Sequence, residues 1–425
     1  MRGGRWQGDP PVTSQTTALG RCRLTMVLLA GLVLCLPTSA PSESAASADS
    51  RSSLPAVPRD GELGFILSSF APAIHQAPEH CPDGLARTPV ENYLLTQSPE
   101  ERERLSRPEN QKELTSRWHR TLMTPDRRNM CTAPELFRDR PPQRTVKGRI
   151  SYGLDLDGSD GTTVAPGTCA HENFIGPGGE PGIDNQLFRV TGCMNWYRGT
   201  DGVSGDLVKL YELDLASGEK SVVLLLRGVH NLEDDPNVEV ILASTKDPPI
   251  LNADKTFARG ASFTITPNPR WRNVFKGRIL HGVLTTDVKD VRLNQEWGYG
   301  GPEGHHAEWD FRRGRLRLEF RPDGTVTGIF GAYQPLLNVM NLMRFGGVGV
   351  AITGLVDCAA MYWSLVQNAD GDPDPRTGEC TTISTAHTVV GVPAYVFDGP
   401  LPEASVGRPR EFRPYDRYQA SPSGY

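Results

Sequence analysis

Apolar residues change their spacing twice along this chain, and the changes divide it. Between about residues 61 and 140 they recur at helical spacing. Thr88-Pro89-Val90-Glu91 and Ser98-Pro99-Glu100-Glu101 each set a hydroxyl at an N-cap, a proline at the first helical position and a glutamate able to reach back. Two helices are expected to begin there, and a third to cover Glu109 to Met123. From Arg144 to about Tyr333 the period falls to two, which sends alternate side chains to opposite faces of a strand. Thr145 to Leu156, Leu207 to Leu215, Ser221 to Gly228, Val238 to Ser244, Ser262 to Thr266, Lys276 to Val291 and Arg315 to Phe320 all read as strands. Ala216-Ser217-Gly218-Glu219 and Pro322-Asp323-Gly324 read as hairpin turns between such strands. Short strands at this turn spacing predict a mainly β domain over residues 141–397, a β-sandwich or jelly roll, following a helical region over 61–140.

One long apolar run, Phe345 to Val366, interrupts the β pattern. Its glycines and the central Asp357 make a poor membrane span, whereas a helix from Leu355 to Val366 would pack well on a sheet. A short helical insertion near 340–367 is therefore expected, with no membrane span in the mature chain. One more strand, Thr388 to Phe397, follows. Residues 49–60, rich in Ser, Ala and Pro, predict a disordered leader, and the Pro- and Arg-rich residues 398–425 a disordered tail.

The first 48 residues read as an address rather than as structure. Arg21 and Arg23 precede the apolar run Met26 to Leu36, and a small-residue segment ends in Ala46-Ser47-Ala48, which is the layout of a cleaved signal peptide. Cleavage near Asp49 makes the mature chain secreted or periplasmic. It also removes four Arg and two acidic residues, so the formal net charge moves from -5 to -7. An acidic chain without a basic face is not a nucleic-acid binder. Six cysteines remain after cleavage, Cys81, Cys131, Cys169, Cys193, Cys358 and Cys380, and an even number in an exported chain predicts a disulfide-stapled fold. Their grouping along the chain favours the local pairs 81 with 131, 169 with 193, and 358 with 380. No Asn-x-Ser/Thr sequon occurs after the signal, which favours a bacterial origin.

Candidate chemistry concentrates between Asp155 and Cys193. Two like charges about 5 Å apart cost on the order of 3 kcal/mol at an effective dielectric of 20, so crowded carboxylates must splay into water, take up protons or hold a cation. Asp155, Asp157 and Asp160, spaced around the bend at Gly158, suit hard oxygen ligation of Ca²⁺. The other reading is a solvated turn in which Asp and Gly only shape the backbone. Glu180 and Asp184 would join the cation if Cys169 pairs with Cys193. His171, Glu172, Asn185 and Trp196 are the residues placed to meet a ligand beside it.

A second acidic loop runs from Asn368 to Cys380. It resembles in part the twelve-residue calcium loop of EF-hand proteins, with Asn368, Asp370 and Asp372 at the first, third and fifth places and Glu379 at the twelfth. Pro373 stands where that loop needs Gly, and Pro375 takes its apolar place, so a looser calcium site or a plain turn is expected. His306, Glu308 and Asp310 would share one strand face. Glu308-Trp309-Asp310-Phe311-Arg312-Arg313 is similar to the Glu-x-Asp-x-x-Glu strand of laminarinase-like glycoside hydrolases. That resemblance implies Glu308 as nucleophile and Asp310 as its partner. The acid/base place holds Arg313, and a retaining hydrolase needs both carboxylates.

Over most of the mature chain, Asp155-Leu156-Asp157-Gly158, Gly182 to Gln186 and Thr377 to Ser384 resemble stretches of secreted bacterial proteins of unassigned function. The resemblance implies export and a shared fold. Together these readings predict a secreted or periplasmic, calcium-binding, non-enzymatic protein that meets a glycan or envelope component. The alternative is an extracellular glycan-active hydrolase or lyase, with Trp196, Tyr197, Trp297 and Tyr299 as stacking platforms and acids from 155 to 184 as catalysts.

Overall fold

The computed structural model describes residues 54–161, 163–199, 205–218, 220–297 and 305–399. The expected signal peptide lies outside these residues, as does all but the start of the expected tail. Eleven strands are formed: β1 (Leu63–Pro72), β2 (Val222–Arg227), β3 (Asp234–Ser244), β4 (Ser262–Thr264), β5 (Arg272–Leu280), β6 (Val283–Thr286), β7 (Lys289–Trp297), β8 (His305–Phe320), β9 (Val326–Pro335), β10 (Gly371–Pro373) and β11 (Cys380–Phe397).

The mainly β expectation holds, and its arrangement is a closed barrel rather than two separate sheets. Antiparallel pairing runs β1-β2-β3-β5-β6-β8-β9-β11, and β11 pairs back onto β1, Phe65 opposite Pro393 and Phe70 opposite Val389. Closure leaves no free edge in that ring. Its inward side chains fill it: Leu224, Leu242, Phe275, Leu318 and Phe330 are buried together with Trp309 and Phe311. Phe70 lies 5.4 Å from Trp309 and 5.5 Å from Phe330, ring centre to ring centre. Each fully buried ring of this size contributes roughly 2 to 3 kcal/mol relative to exposure. His387 of β11 stands among them, stacked on Phe70 at 5.1 Å, and burial pulls its pKa down from 6.5 to about 3.

Several sequence expectations change here. β1 falls inside the stretch expected to be helical. Its run Leu63-Gly-Phe-Ile-Leu is buried on both faces, with Phe65 and Leu67 toward the barrel interior and Ile66 against the cluster of Val223, Ile241 and Phe263 outside it, so no alternation is visible. Leu54 and Val57, in the expected leader, pack on the barrel core. Leu207 to Leu215 is not a strand but part of a helix, Asp206–Ser217, whose buried Leu207, Val208 and Leu215 keep helical spacing while Leu213 is 65% exposed. Ser217-Gly218 is therefore a helix stop: Gly218, at φ +85°, takes the left-handed C-cap that a side chain would strain. The Pro322-Asp323-Gly324 turn does join β8 to β9, with Arg321 and Thr325 paired across it.

The capped helices form where expected, over Pro89–Leu95 and Pro99–Ser106, and at Thr88 both halves of the capping box are made. They pack with helices Gln111–Arg120, Gln186–Thr191 and Cys358–Gln367 around a second core of Leu114, Trp118, Leu187, Met340, Met361 and Leu365. No helix of the described residues is long and apolar enough to cross a membrane.

All six cysteines among the described residues are bonded, but none to its sequence neighbour. The bonds are Cys81–Cys193, Cys131–Cys358 and Cys169–Cys380. The local pairing is thus overturned: each bond joins segments 112 to 227 residues apart, which tertiary packing and not a short loop brings together.

Candidate metal centre

Residues 145–156, expected to be a strand, instead form an irregular layer held by single bridges, Ile150 to Ile175 and Leu154 to Asp184. That layer places the first acidic loop. Asp155 Oδ1 accepts from Gly158 N at 2.6 Å and Asp157 Oδ1 from Ser159 N at 2.8 Å, so both carboxylates shape the turn they sit in. Arg315 of β8 donates to the carbonyls of Asp155 and Leu156, at 3.2 and 2.7 Å, and ties the loop to the barrel wall.

Asp184 enters from the opposite segment. Its amide donates to Leu154 O at 3.0 Å, and its Oδ2 accepts from Leu156 N at 2.7 Å. Gly182, at φ +75°, allows this approach: a Cβ there would stand 2.8 Å from the Ser159 carbonyl. One carboxylate oxygen from each of Asp155, Asp157 and Asp184 lies within 4.8 Å of the others.

The second acidic loop arrives through Cys169–Cys380. Cys169 N donates to Asp370 O at 3.0 Å, and Asp370 N to Thr382 O at 3.0 Å. Asp370 is completely buried; its Oδ1 accepts from Ser384 N at 2.6 Å. His171 lies between the two loops. Its Nδ1 is 2.8 Å from the Cys169 carbonyl, which can only accept, so Nδ1 carries the hydrogen. Its Nε2 faces Asp184 Oδ1 at 3.3 Å and Asp370 Oδ2 at 3.4 Å.

Electrostatics follow from this enclosure. Burial pushes Asp370 up to about 7 against the opposing pull of His171 and Ser384. Burial likewise raises Asp184. Burial alone would lower His171, but Asp184 and Asp370 outweigh it and raise the imidazole to about 9. The Tyr333 hydroxyl of β9 is also fully buried and has no hydrogen-bond partner. Burial raises its pKa strongly, and the charges of Asp370, Asp184 and Asp157 add to that. The Arg313 guanidinium covers its ring at 4.1 Å.

Five residues singled out from the sequence therefore meet: Asp155, Asp157, His171, Asp184 and Asp370. The others lie elsewhere. Asp160 is exposed and Glu180 folds back on Gly178 N at 3.0 Å. Asn368 ends a helix by donating to Ser364 O at 2.7 Å. Asp372 pairs with Arg313 at 3.3 Å, and Glu379 is exposed. Glu172 is exposed with its carboxylate 3.9 Å from Arg149. Asn185 caps helix Gln186–Thr191, accepting from Phe188 N and donating to Tyr152 O. Trp196 packs in the helical core against Gly354, and Tyr197 is buried. The Trp297 and His306 side chains and Tyr299 lie outside what is described. Glu308 is paired with Arg270 at 2.6 Å and Asp310 with Arg312 at 2.9 Å, so both carboxylates of the laminarinase-like stretch are held in ion pairs.

Tyr333, Ser384 and Arg315 were not singled out. Ser384 does close the stretch Thr377 to Ser384, while nothing in the spacing around Tyr333 or Arg315 marks them. The chain matches no family model, no curated protein and no solved structure.

Proposed function

We propose that this is an extracytoplasmic cation-binding protein that holds Ca²⁺ on Asp155, Asp157 and Asp184 and acts by binding a partner, a glycan or another envelope component, rather than by catalysis. The observation that carries the reading is the convergence of three carboxylates from two separate segments on one point, with Asp184 completely buried. Asp155 and Asp157 are not buried, but carboxylates this close to a buried one repel it unless a cation or a proton is placed among them, and oxygen-only ligation is what Ca²⁺ takes. The three disulfides support an oxidising compartment. The glycan-active alternative has less behind it, since two of its four stacking platforms, Trp196 and Tyr197, pack into the helical core.

A thermal melt of the chelator-treated protein tests this. A ligand that binds only the folded chain stabilises it by RT ln(1 + [L]/Kd), about 2.7 kcal/mol at a hundredfold excess over Kd. Ca²⁺ should raise the melting temperature, chelator should reverse the rise, and Asp157→Ala should abolish it. A melt indifferent to Ca²⁺ in metal-free protein sinks the proposal.

A further inference from the structure

We propose that His171, Asp184 and Asp370 hold a second cation, a first-row transition dication of the zinc, cobalt or manganese type, beside the calcium position. It rests on the calcium reading only through Asp184, the one ligand the two positions share, so either can fail alone.

Each of the three side chains has one polar atom committed to the backbone and a second turned toward the other two side chains, with His171 Nε2 hydrogen-bonded to Asp184 Oδ1 at 3.3 Å. His171 Nδ1 donates to Cys169 O, Asp184 Oδ2 accepts from Leu156 N, and Asp370 Oδ1 accepts from Ser384 N. The three inward atoms, His171 Nε2, Asp184 Oδ1 and Asp370 Oδ2, lie within 4.8 Å of one another. This is how metal ligands are held: the outer atom of each is fixed by a partner, so the inner atom points at the ion.

Their chemistry asks for a cation. Two buried carboxylate oxygens, Asp184 Oδ1 and Asp370 Oδ2, converge on Nε2 of one imidazole at 3.3 and 3.4 Å, and a proton on that nitrogen offsets only one of the two charges. The spacing fits a small ion, since ligands about 2.0 to 2.1 Å from a tetrahedral metal are separated by roughly 3.3 to 3.4 Å. The nitrogen decides the class. Ca²⁺ is bound through oxygen, whereas one imidazole with two carboxylates suits zinc, cobalt or manganese.

Two buried polar atoms also lack hydrogen-bond partners here, Asp370 Oδ2 and the Tyr333 hydroxyl. Both residues are completely buried. A dication balances the charge of two buried carboxylates, which a protonated His171 does only by half. It also gives Asp370 Oδ2, which stands 3.4 Å from His171 Nε2, a bond to the ion, and a ligand water would pair the Tyr333 hydroxyl.

The test uses the full folded chain, stripped with chelator and titrated with Co²⁺ in saturating Ca²⁺. One equivalent should bind with visible d–d absorption. His171→Ala should weaken Co²⁺ about 100-fold or more while keeping the Ca²⁺-induced rise in melting temperature. Asp157→Ala should do the opposite. Manganese loaded into the wild-type protein gives a readout free of any folding defect in a variant: pulsed electron paramagnetic resonance should show coupling to an imidazole nitrogen. Absence of Co²⁺ binding means that the His171 proton fills the position and overturns the proposal. So does Co²⁺ binding indifferent to His171→Ala, or bound Mn²⁺ without nitrogen coupling.

Discussion

Cys169 is bonded to Cys380 across 211 residues, and that bond is what sets the two acidic segments side by side. His171 follows the first cysteine by two positions, and Ser384, which holds Asp370, follows the second by four. In the chain-entropy model a closed loop of this length contributes about 5 kcal/mol. Peptide mapping without reduction should recover 81 with 193, 131 with 358 and 169 with 380. Cys169→Ser with Cys380→Ser should lower both stability and cation affinity, because His171 and Asp370 are then held together only by the backbone bonds around them. Unchanged affinity in that variant would separate the bond from the site.

The Tyr333 hydroxyl gives a sharper outcome. A buried hydroxyl without a partner costs about 1 to 3 kcal/mol, so Tyr333→Phe should make the metal-free protein more stable by about 1 kcal/mol. Adding cation should erase the advantage. Denaturant melts of both proteins with and without metal check this, and a variant less stable in the metal-free state would show that the hydroxyl is already paired.

Glu379→Ala should leave the Ca²⁺ response intact, its effect on stability staying within about 0.5 kcal/mol. Glu379 is exposed, and the Ca²⁺ triad of Asp155, Asp157 and Asp184 takes no residue from this loop. If the variant loses its Ca²⁺ response, the loop binds as an EF-hand-like unit after all.

Acid sensitivity should come in part from the barrel interior. His387 has a folded pKa of about 3 against 6.5 unfolded, so it stays neutral in the fold while the unfolded chain takes up a proton. Its contribution is fully present above pH 6.5 and is lost as pH falls toward 3, amounting to roughly 2 kcal/mol between pH 7 and pH 5. His387→Leu should flatten the stability profile over that range. Equal slopes for the two proteins would show that His387 does not titrate there.

What the sequence made legible was local. The caps at Thr88 and Ser98 depend on residues three apart, and Asp155-Leu156-Asp157-Gly158 carries its turn within itself, so both could be read directly. β2 and β3 were legible as apolar runs between turn signals. Strand β1 was not, because a strand apolar on both faces has no period to find. The helix at 206–217 was hidden by chance: Leu207, Lys209, Tyr211, Leu213 and Leu215 fit a period of two as well as a helical face, and only burial of Leu207, Val208 and Leu215 with exposure of Leu213 separates them. The candidate site was half legible. Its carboxylates were visible as crowded charge, but which of them converge depends on the tertiary packing that brings Asp184 to an aspartate 186 residues further on.

The partnership of β1 with β11 has a consequence in time. A chain that emerges from its N-terminus presents β1 first and its closing partner last, so the ring cannot shut until almost all of the chain is available. Oxidation runs on a different clock. Cys81 and Cys131 come out first and are free to join each other, yet the finished protein pairs each with a cysteine that follows much later, at 193 and 358. An early bond between them has to be undone by thiol exchange before the ring can close. Refolding from the reduced chain is therefore expected to be speeded more by a disulfide isomerase than by a stronger oxidant, and equal acceleration by both would show that the early bond does not form.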